Sequence, residues 1–292
     1  MNGILIVDKP RDWTSHDVVA KLRGIYRERR IGHSGTLDPM ATGVLAVFLG
    51  RATRAVELCE NDEKTYVAGL RLGTVTNTQD ITGEVLETRP VDVKQPQLEA
   101  VLSRFTGSQQ QIPPMYSAVK IQGKKLYELA RKGQTVERKP RDIVIHRLKL
   151  LGREGEDYIL EVRCSKGTYV RTLCHDIGAA LGCGGCLSSL RRTAAGRFSL
   201  EDAVTLEEIQ TARERGEHEA LLRPVDSLFS HLPALTVRGE RERRMRNGGS
   251  VPAQMPDGLC RVYGESGEFL LLGRVAAGTL TTVKSFFEVK SV

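Results

Sequence analysis

Two short apolar runs near the start of the chain, GILIVD at residues 3–8 and VLAVFL at Val44 to Leu49, are of strand length. Both lack the alternation of a strand with one wet face, so both are predicted to be buried strands. Between them, Ser15 suits the N-cap of a helix running to about Tyr26. The stretch RIGHSGTLDPMATG, Arg30 to Gly43, then reads as a loop joining that helix to the second strand. Lys64 to Gly73 alternates well enough for a third strand; a polar, turn-rich stretch to Gly83 and a short strand at Glu84 to Thr88 follow. Pro96 stands at the start of a predicted helix near Gln97 to Phe105. Asp142 to Leu150 and Tyr158 to Cys164 read as consecutive strands. The segment beginning GTYVR becomes helical after Tyr169, SSLRRTAAGRFSL reads as a strand pair, and Leu206 to Arg215 as an amphipathic helix.

Beyond about residue 232 the pattern changes to short apolar strands broken by Gly and Pro: GLCRVY, EFLLLGRV and TLTTVKSFF. That is the signature of a small β-barrel-like domain. The expected architecture is an α+β body over residues 1–232, with a mixed, largely antiparallel sheet flanked by helices, followed by a small domain over 233–292. The sheet is expected to be largely antiparallel because successive strands are often joined too briefly for crossover helices.

Composition narrows the possibilities. The 292 residues carry a net charge of +7, concentrated in clusters: five basic residues between Lys21 and Arg30, eight between Lys120 and Arg141, and the run RGERERRMR from Arg238 to Arg246. Three separate clusters suit a polyphosphate partner, each cation on a phosphate releasing a condensed counterion. The segment from Ile121 to Pro140 is charged around one LYELARK turn and reads as an arm. No window approaches the roughly 18 apolar residues of a membrane span, and the start of the chain has no signal-peptide pattern. A cytoplasmic protein with six reduced cysteines is therefore expected. Cys183 and Cys186 have CxxC spacing, but no second ligand pair accompanies them, so they are read as turn cysteines and no metal site is expected.

The Arg30 to Gly43 stretch nearly spells a GxSxG nucleophile elbow around Ser34, but its fifth residue is Thr36 and it follows a helix rather than a strand. Neither GxxxxGK[ST] nor GxGxxG stands nearby. What remains is Asp38, held in front of Pro39, which favours extended backbone at the aspartate. A carboxylate so placed is either a nucleophile or general base, or an aspartate that hydrogen-bonds its own turn. In KGTYVR, Arg171 is a candidate carboxylate partner, and Tyr169 offers a ring on which a base stacks. Tyr66 lies early in the third strand.

Six collinear segments carry a resemblance over nearly the whole chain: VDKPRDWTSHDVV, RRIGHSGTLDPMATGVLAVFLGRATR, EKTYVAGLRLGTVTNTQDITGEV, IPPMYSAVKIQGKKLYELAR, KGTYVRTLCHDIGAALG and LSSLRRTAAGRF. In this order and spacing they resemble the bacterial tRNA pseudouridine-55 synthase family, TruB. The resemblance implies a pseudouridine synthase-like catalytic domain with a PUA-like C-terminal RNA-binding domain. The implied reaction isomerises a uridine in the T-arm stem-loop of tRNA without metal or cofactor; separately, no hydrophobic oligomerisation stripe stands out in the sequence, so a monomer is expected. It further implies that Asp38 is the essential aspartate, Arg171 its partner, and Tyr66 the ring against the flipped base. Tyr169 and Leu190 would line the nucleotide pocket, Asp80 would be a polar pocket residue, His33 would insert into the RNA loop, and Lys9 would contact RNA. The basic segment 121–141 would be the insertion that clasps the RNA stem. Ser34 stands where many members have Thr, and Cys186 where relatives often have His.

Overall fold

The computed structural model describes residues 1–59, 62–121 and 123–288. Strand β1 (Gly3–Lys9) leads to helix α1 (Ser15–Tyr26). Thr14, one residue before the expected cap, closes a capping box with Asp17, because Ser15 Oγ is engaged elsewhere, by Leu37. Strand β2 (Ile31–Ser34) then forms a hairpin with β3 (Thr42–Leu49). The first part of the predicted loop is thus a strand. It escapes periodicity because Ile31 is the only large apolar residue in it.

After a 3₁₀ segment the chain enters β4 (Lys64–Leu72), the small hairpin β5 (Thr74–Thr76) and β6 (Val85–Thr88), and helix α2 (Gln95–Arg104), with proline in its first turn. Strand β7 (Gly107–Gln111) follows. The basic segment holds a two-residue hairpin of β8 (Lys120–Ile121) and β9 (Lys124–Lys125), then the short helix α3 (Leu126–Ala130). The long strands β10 (Arg141–Glu154) and β11 (Asp157–Cys164), helix α4 (Val170–Ala180), and strands β12 (Gly185–Ala195) and β13 (Phe198–Ser199) come next, with helix α5 (Leu206–Glu214) after them. The remainder comprises β14 (Ala234–Thr236), α6 (Gly239–Arg246), β15 (Val251–Pro252), β16 (Gly258–Tyr263), β17 (Phe269–Ala276) and β18 (Thr279–Ser285).

The central sheet has nine strands in the order β1-β3-β12-β4-β11-β10-β7, with β2 on β3 and β13 on β12. All pairs are antiparallel except β3 with β12, which meet only at Thr42 and Gly43. The mixed, largely antiparallel sheet with flanking helices is as expected.

Alternation along β1 and β3 explains their unbroken apolar sequences. Leu5, Val7, Leu45, Val47 and Leu49 face α1, whereas Ile4, Ile6, Val44, Ala46 and Phe48 face Leu272 and Phe286 of the C-terminal segment. A strand covered on both faces has no reason to alternate in polarity. A second sheet, ordered β14-β16-β17-β18-β15, builds this C-terminal segment. Phe229, Phe269 and Phe286 cluster between the two sheets at centroid distances of 5.4 to 6.0 Å, Phe269 stacked on Phe286 and Phe229 tilted against both. At the same junction the Tyr263 hydroxyl donates to Asp226 at 2.7 Å. The other half of the central sheet, through Ala68, Leu70, Leu160 and Val162, packs on Leu98 and Leu102 of α2 and Leu173 and Ile177 of α4.

Candidate active site

One edge of β3 is shared. β2 pairs with it from Ala46 to Leu49, β12 at Thr42 and Gly43, and residues 44 and 45 lie in the gap between them. The loop carrying Asp38 leaves the sheet at this gap.

Each part of that loop has its own anchor. Arg192 Nη2 donates to the Gly35 carbonyl at 3.1 Å. Ser15 Oγ accepts from the Leu37 amide at 2.9 Å. The Pro39 carbonyl accepts from the Asp12 amide at 2.8 Å and from Lys9 Nζ at 3.3 Å, and the Ala41 amide donates back to the Asp38 carbonyl at 3.0 Å. Leu37, Met40 and Ala41 are buried against Tyr66 and Leu190. At the loop's end Gly43 has φ +100°, and a Cβ there would stand 2.2 Å from the Arg192 carbonyl.

The side chain of Asp38 leaves this scaffold toward Arg171, in the first turn of α4. Nε lies 2.9 Å from Oδ2 as an ion pair without hydrogen-bond alignment, and Nη2 donates to Oδ1 at 3.4 Å. The guanidinium is almost wholly buried while the Asp38 side chain keeps 39% of its surface open, so the pair presents the carboxylate and hides the cation. Arg171 also donates to the carbonyls of Thr78 at 3.0 Å and Tyr116 at 2.8 Å, and Asp80 lies 3.7 Å from it. A cation at a helix N-terminus opposes the helix dipole; two carboxylates compensate it here. Asp80 is itself oriented by the Thr78 hydroxyl at 2.9 Å and the Thr82 amide at 3.0 Å. Its turn is stitched to β12 by the Ile81 amide donating to the Leu187 carbonyl at 2.9 Å. Burial pushes the Asp38 carboxyl above the usual carboxylate range; Arg171 pulls it down and Asp80 adds to the rise.

Tyr66 on β4 is buried against the loop, and burial pushes its phenol upward. Tyr169 caps α4 and is held by Gln111, which accepts its amide hydrogen at 2.8 Å and donates to its carbonyl at 3.1 Å. Leu190 is buried on β12. The structure thus gathers Asp38, Arg171 and Asp80 into one network, with Tyr66 and Leu190 in the packing beneath it.

His33 stands on β2 with the ring of His16 edge-on at 5.7 Å and 86°. Burial, helped by His16 and Arg192, pushes its imidazole down to about 4. Its Nδ1 is buried with no hydrogen-bond partner among the described residues. Ser34 projects from the opposite face of the same strand, because successive residues alternate. The neighbouring imidazole is therefore turned away from it, so the nucleophile-elbow reading loses His33 as its base.

Lys9 departs from the expected RNA contact. It is fully buried, and its ammonium is spent on the carbonyls of Pro10 at 2.8 Å, Trp13 at 2.6 Å and Pro39 at 3.3 Å. Burial lowers it to about 8; it braces the Asp38 loop from within. Ser15, Gln111 and Arg192 are further members of the site that sequence reasoning missed. Arg192 sits beside Arg191 in the same motif, and nothing local separates the buried one from the half-exposed one that pairs with Asp8 at 2.7 Å. Among the described residues no group of His, Cys, Asp or Glu is arranged to hold a metal ion, and no helix is long and apolar enough to cross a membrane.

The fold that holds this half-open carboxylate on its braced loop, ion-paired to a buried arginine, is similar to that of proteins of known structure. A chain from the structure of an H/ACA RNP bound to a substrate RNA containing 2'-deoxyuridine superposes with a TM-score of 0.71 at 26% identity, covering 98% of this chain and 85% of that one. A Cbf5-Nop10-Gar1 complex gives a TM-score of 0.72 at 29% identity over the same shares. Residues 23–170 match the TruB family pseudouridylate synthase N-terminal domain, and residues 171–230 the tRNA pseudouridylate synthase B C-terminal domain. The tRNA pseudouridine synthase B of Ectopseudomonas mendocina is 45% identical over 94% of this chain and 92% of its own length. That of Dechloromonas aromatica is 44% identical over 99% and 96%. The chain belongs to the TruB family of pseudouridylate synthases.

Proposed function

We propose that this protein is a tRNA pseudouridine synthase that isomerises uridine 55 in the T-arm stem-loop, with Asp38 as the residue on which the chemistry depends. The observation that carries the reading is the Asp38–Arg171 pair, in which the carboxylate is open and the guanidinium buried. In the isomerisation the bond from N1 of uracil to C1' of ribose breaks and a bond from C5 to C1' forms; the C5 proton leaves to solvent and N1 takes one up. Asp38 acts on the target nucleotide as nucleophile or base, aimed by Arg171 and, through it, by Asp80.

A base inside a folded loop must first be extruded, at a cost of a few kcal/mol. Stacking on Tyr66, with Tyr169 and Leu190 closing the pocket, offsets about 1–3 kcal/mol of that. His33, neutral at physiological pH, fills the space the base leaves. The basic segment 121–141 clasps the RNA stem. Residues 1–232 act as the catalytic domain, and residues 233–292 as a PUA-like RNA-binding domain. The protein works as a monomer without cofactor; the family's reaction needs none.

The deciding experiment follows tritium release from 5-tritiated uridine in a T-arm hairpin. Asp38→Asn is expected to lose turnover while keeping RNA affinity, and Ser34→Ala to lose little. Normal turnover by Asp38→Asn would overturn the assignment.

A further inference from the structure

Arg192, on β12, is 1% exposed, and no carboxylate ion-pairs with it among the described residues. A buried cation without a counterion is costly, and a residue of no function is readily replaced by an apolar one. Its polar contacts show what it supports. Nε donates to the Val44 carbonyl at 2.6 Å. Val44 is one of the two β3 residues in the gap between β2 and β12, so the guanidinium takes the place of the missing strand partner. Nη2 reaches the Gly35 carbonyl at 3.1 Å, where β2 ends and the Asp38 loop begins. In the β12–β4 register Arg192 stands directly opposite Tyr66, so the two side chains are cross-strand neighbours on one face of the sheet. One side chain therefore holds the root of the Asp38 loop and the strand that follows that loop, and stands beside the tyrosine beneath it.

We propose that Arg192 is a positioning residue for pseudouridine formation, locking the Tyr66 phenol and the Asp38 loop into one unit across the split in the sheet. The inference rests on the proposed function for the identity of the reaction. A loop and a ring on separate strands each have their own small motions, and a shared rigid donor removes their relative displacement. Misplacement by about an ångström at a reacting centre costs roughly 100-fold in rate.

Single-turnover tritium release and hairpin affinity would be measured for wild type, Arg192→Lys, Tyr66→Phe and the double variant, with folding followed by circular dichroism. Lysine keeps the charge but not the forked donors that reach Gly35 and Val44 together while the side chain stands beside Tyr66. Arg192→Lys is expected to slow the chemical step roughly 10- to 100-fold with hairpin affinity within about twofold. In the Tyr66→Phe background the same substitution is expected to cost under about threefold, because neighbours that act as a unit are non-additive. An equal loss in both backgrounds, or an unchanged rate, would overturn the proposal. Failure of Arg192→Lys to fold would also overturn it, assigning Arg192 to stability alone. Absence of tritium release by wild type would instead reject the reaction, so the two failures are distinguishable.

Discussion

Ser15 Oγ accepts the Leu37 amide hydrogen at 2.9 Å and lies 3.3 Å from the Leu37 carbonyl, so the start of α1 grips the chain one residue before Asp38. Both groups are buried, and water cannot replace the hydroxyl. Ser15→Ala is expected to cost about 1–3 kcal/mol of stability, the range for stranding a buried donor, and to lower turnover because the loop loses an anchor. Urea denaturation checks the first and tritium release the second. Unchanged values for both would remove Ser15 from the scaffold.

Gly43 and Gly24 make opposite predictions for one substitution. At Gly43 the backbone is left-handed, with φ +100°, and a Cβ would meet the Arg192 carbonyl at 2.2 Å. Gly43→Ala is expected to cost about 3 kcal/mol or more, combining backbone strain with a collision against backbone. Gly24 lies within α1 with nothing near its Cβ position, so Gly24→Ala is expected to stabilise by about 0.5–1 kcal/mol. Thermal unfolding of the two variants separates them by sign.

His33 predicts a pH dependence. Its folded value of about 4 is depressed from an ordinary 6.5. The stability associated with a neutral His33 is therefore complete above pH 6.5 and is lost as pH falls through about 4. Wild-type unfolding free energy is expected to drop more steeply over that window than that of His33→Asn. Parallel curves would contradict the burial assigned to this ring.

Asp80 tests the network behind the active carboxylate. Asp80→Asn preserves an acceptor for Thr78 and the Thr82 amide but removes the charge 3.7 Å from Arg171. Arg171 then has one carboxylate rather than two to oppose the α4 dipole, and it draws on Asp38 more strongly. Turnover is expected to fall by up to about 100-fold, the order that a small misplacement at a reacting centre costs, with hairpin affinity unchanged. A fall in affinity with unaltered chemistry would place Asp80 in RNA recognition instead.

The RNA-facing charge has its own signature. If the basic residues of segment 121–141 meet phosphate, hairpin binding weakens steeply with salt, and Lys124→Ala with Lys125→Ala lessens that slope. An unaltered slope would leave these lysines as plain surface.

The amino-acid sequence by itself determined the elements whose side chains are sorted by water. The apolar runs of β1 and β3, the alternation of β4, the amphipathic α5 and the strands from residue 258 onward all follow from burial against one or two packed faces. It also carried the six motifs and so the family, with Asp38 and Arg171 among them. Several elements escaped, β2 and α6 among them. β2 and α6 each bury too little for a pattern, α6 hiding only Met245 among five arginines counted from its Arg238 cap. Tertiary structure alone decided the roles of the buried polar residues. Ser15 meets Leu37 across 22 positions and Arg171 meets Asp38 across 133, while Lys9 turns inward and Arg192, not Arg191, fills the gap in the sheet. A buried donor must find an acceptor, but nothing in local sequence says which; that is settled only when distant strands close around it.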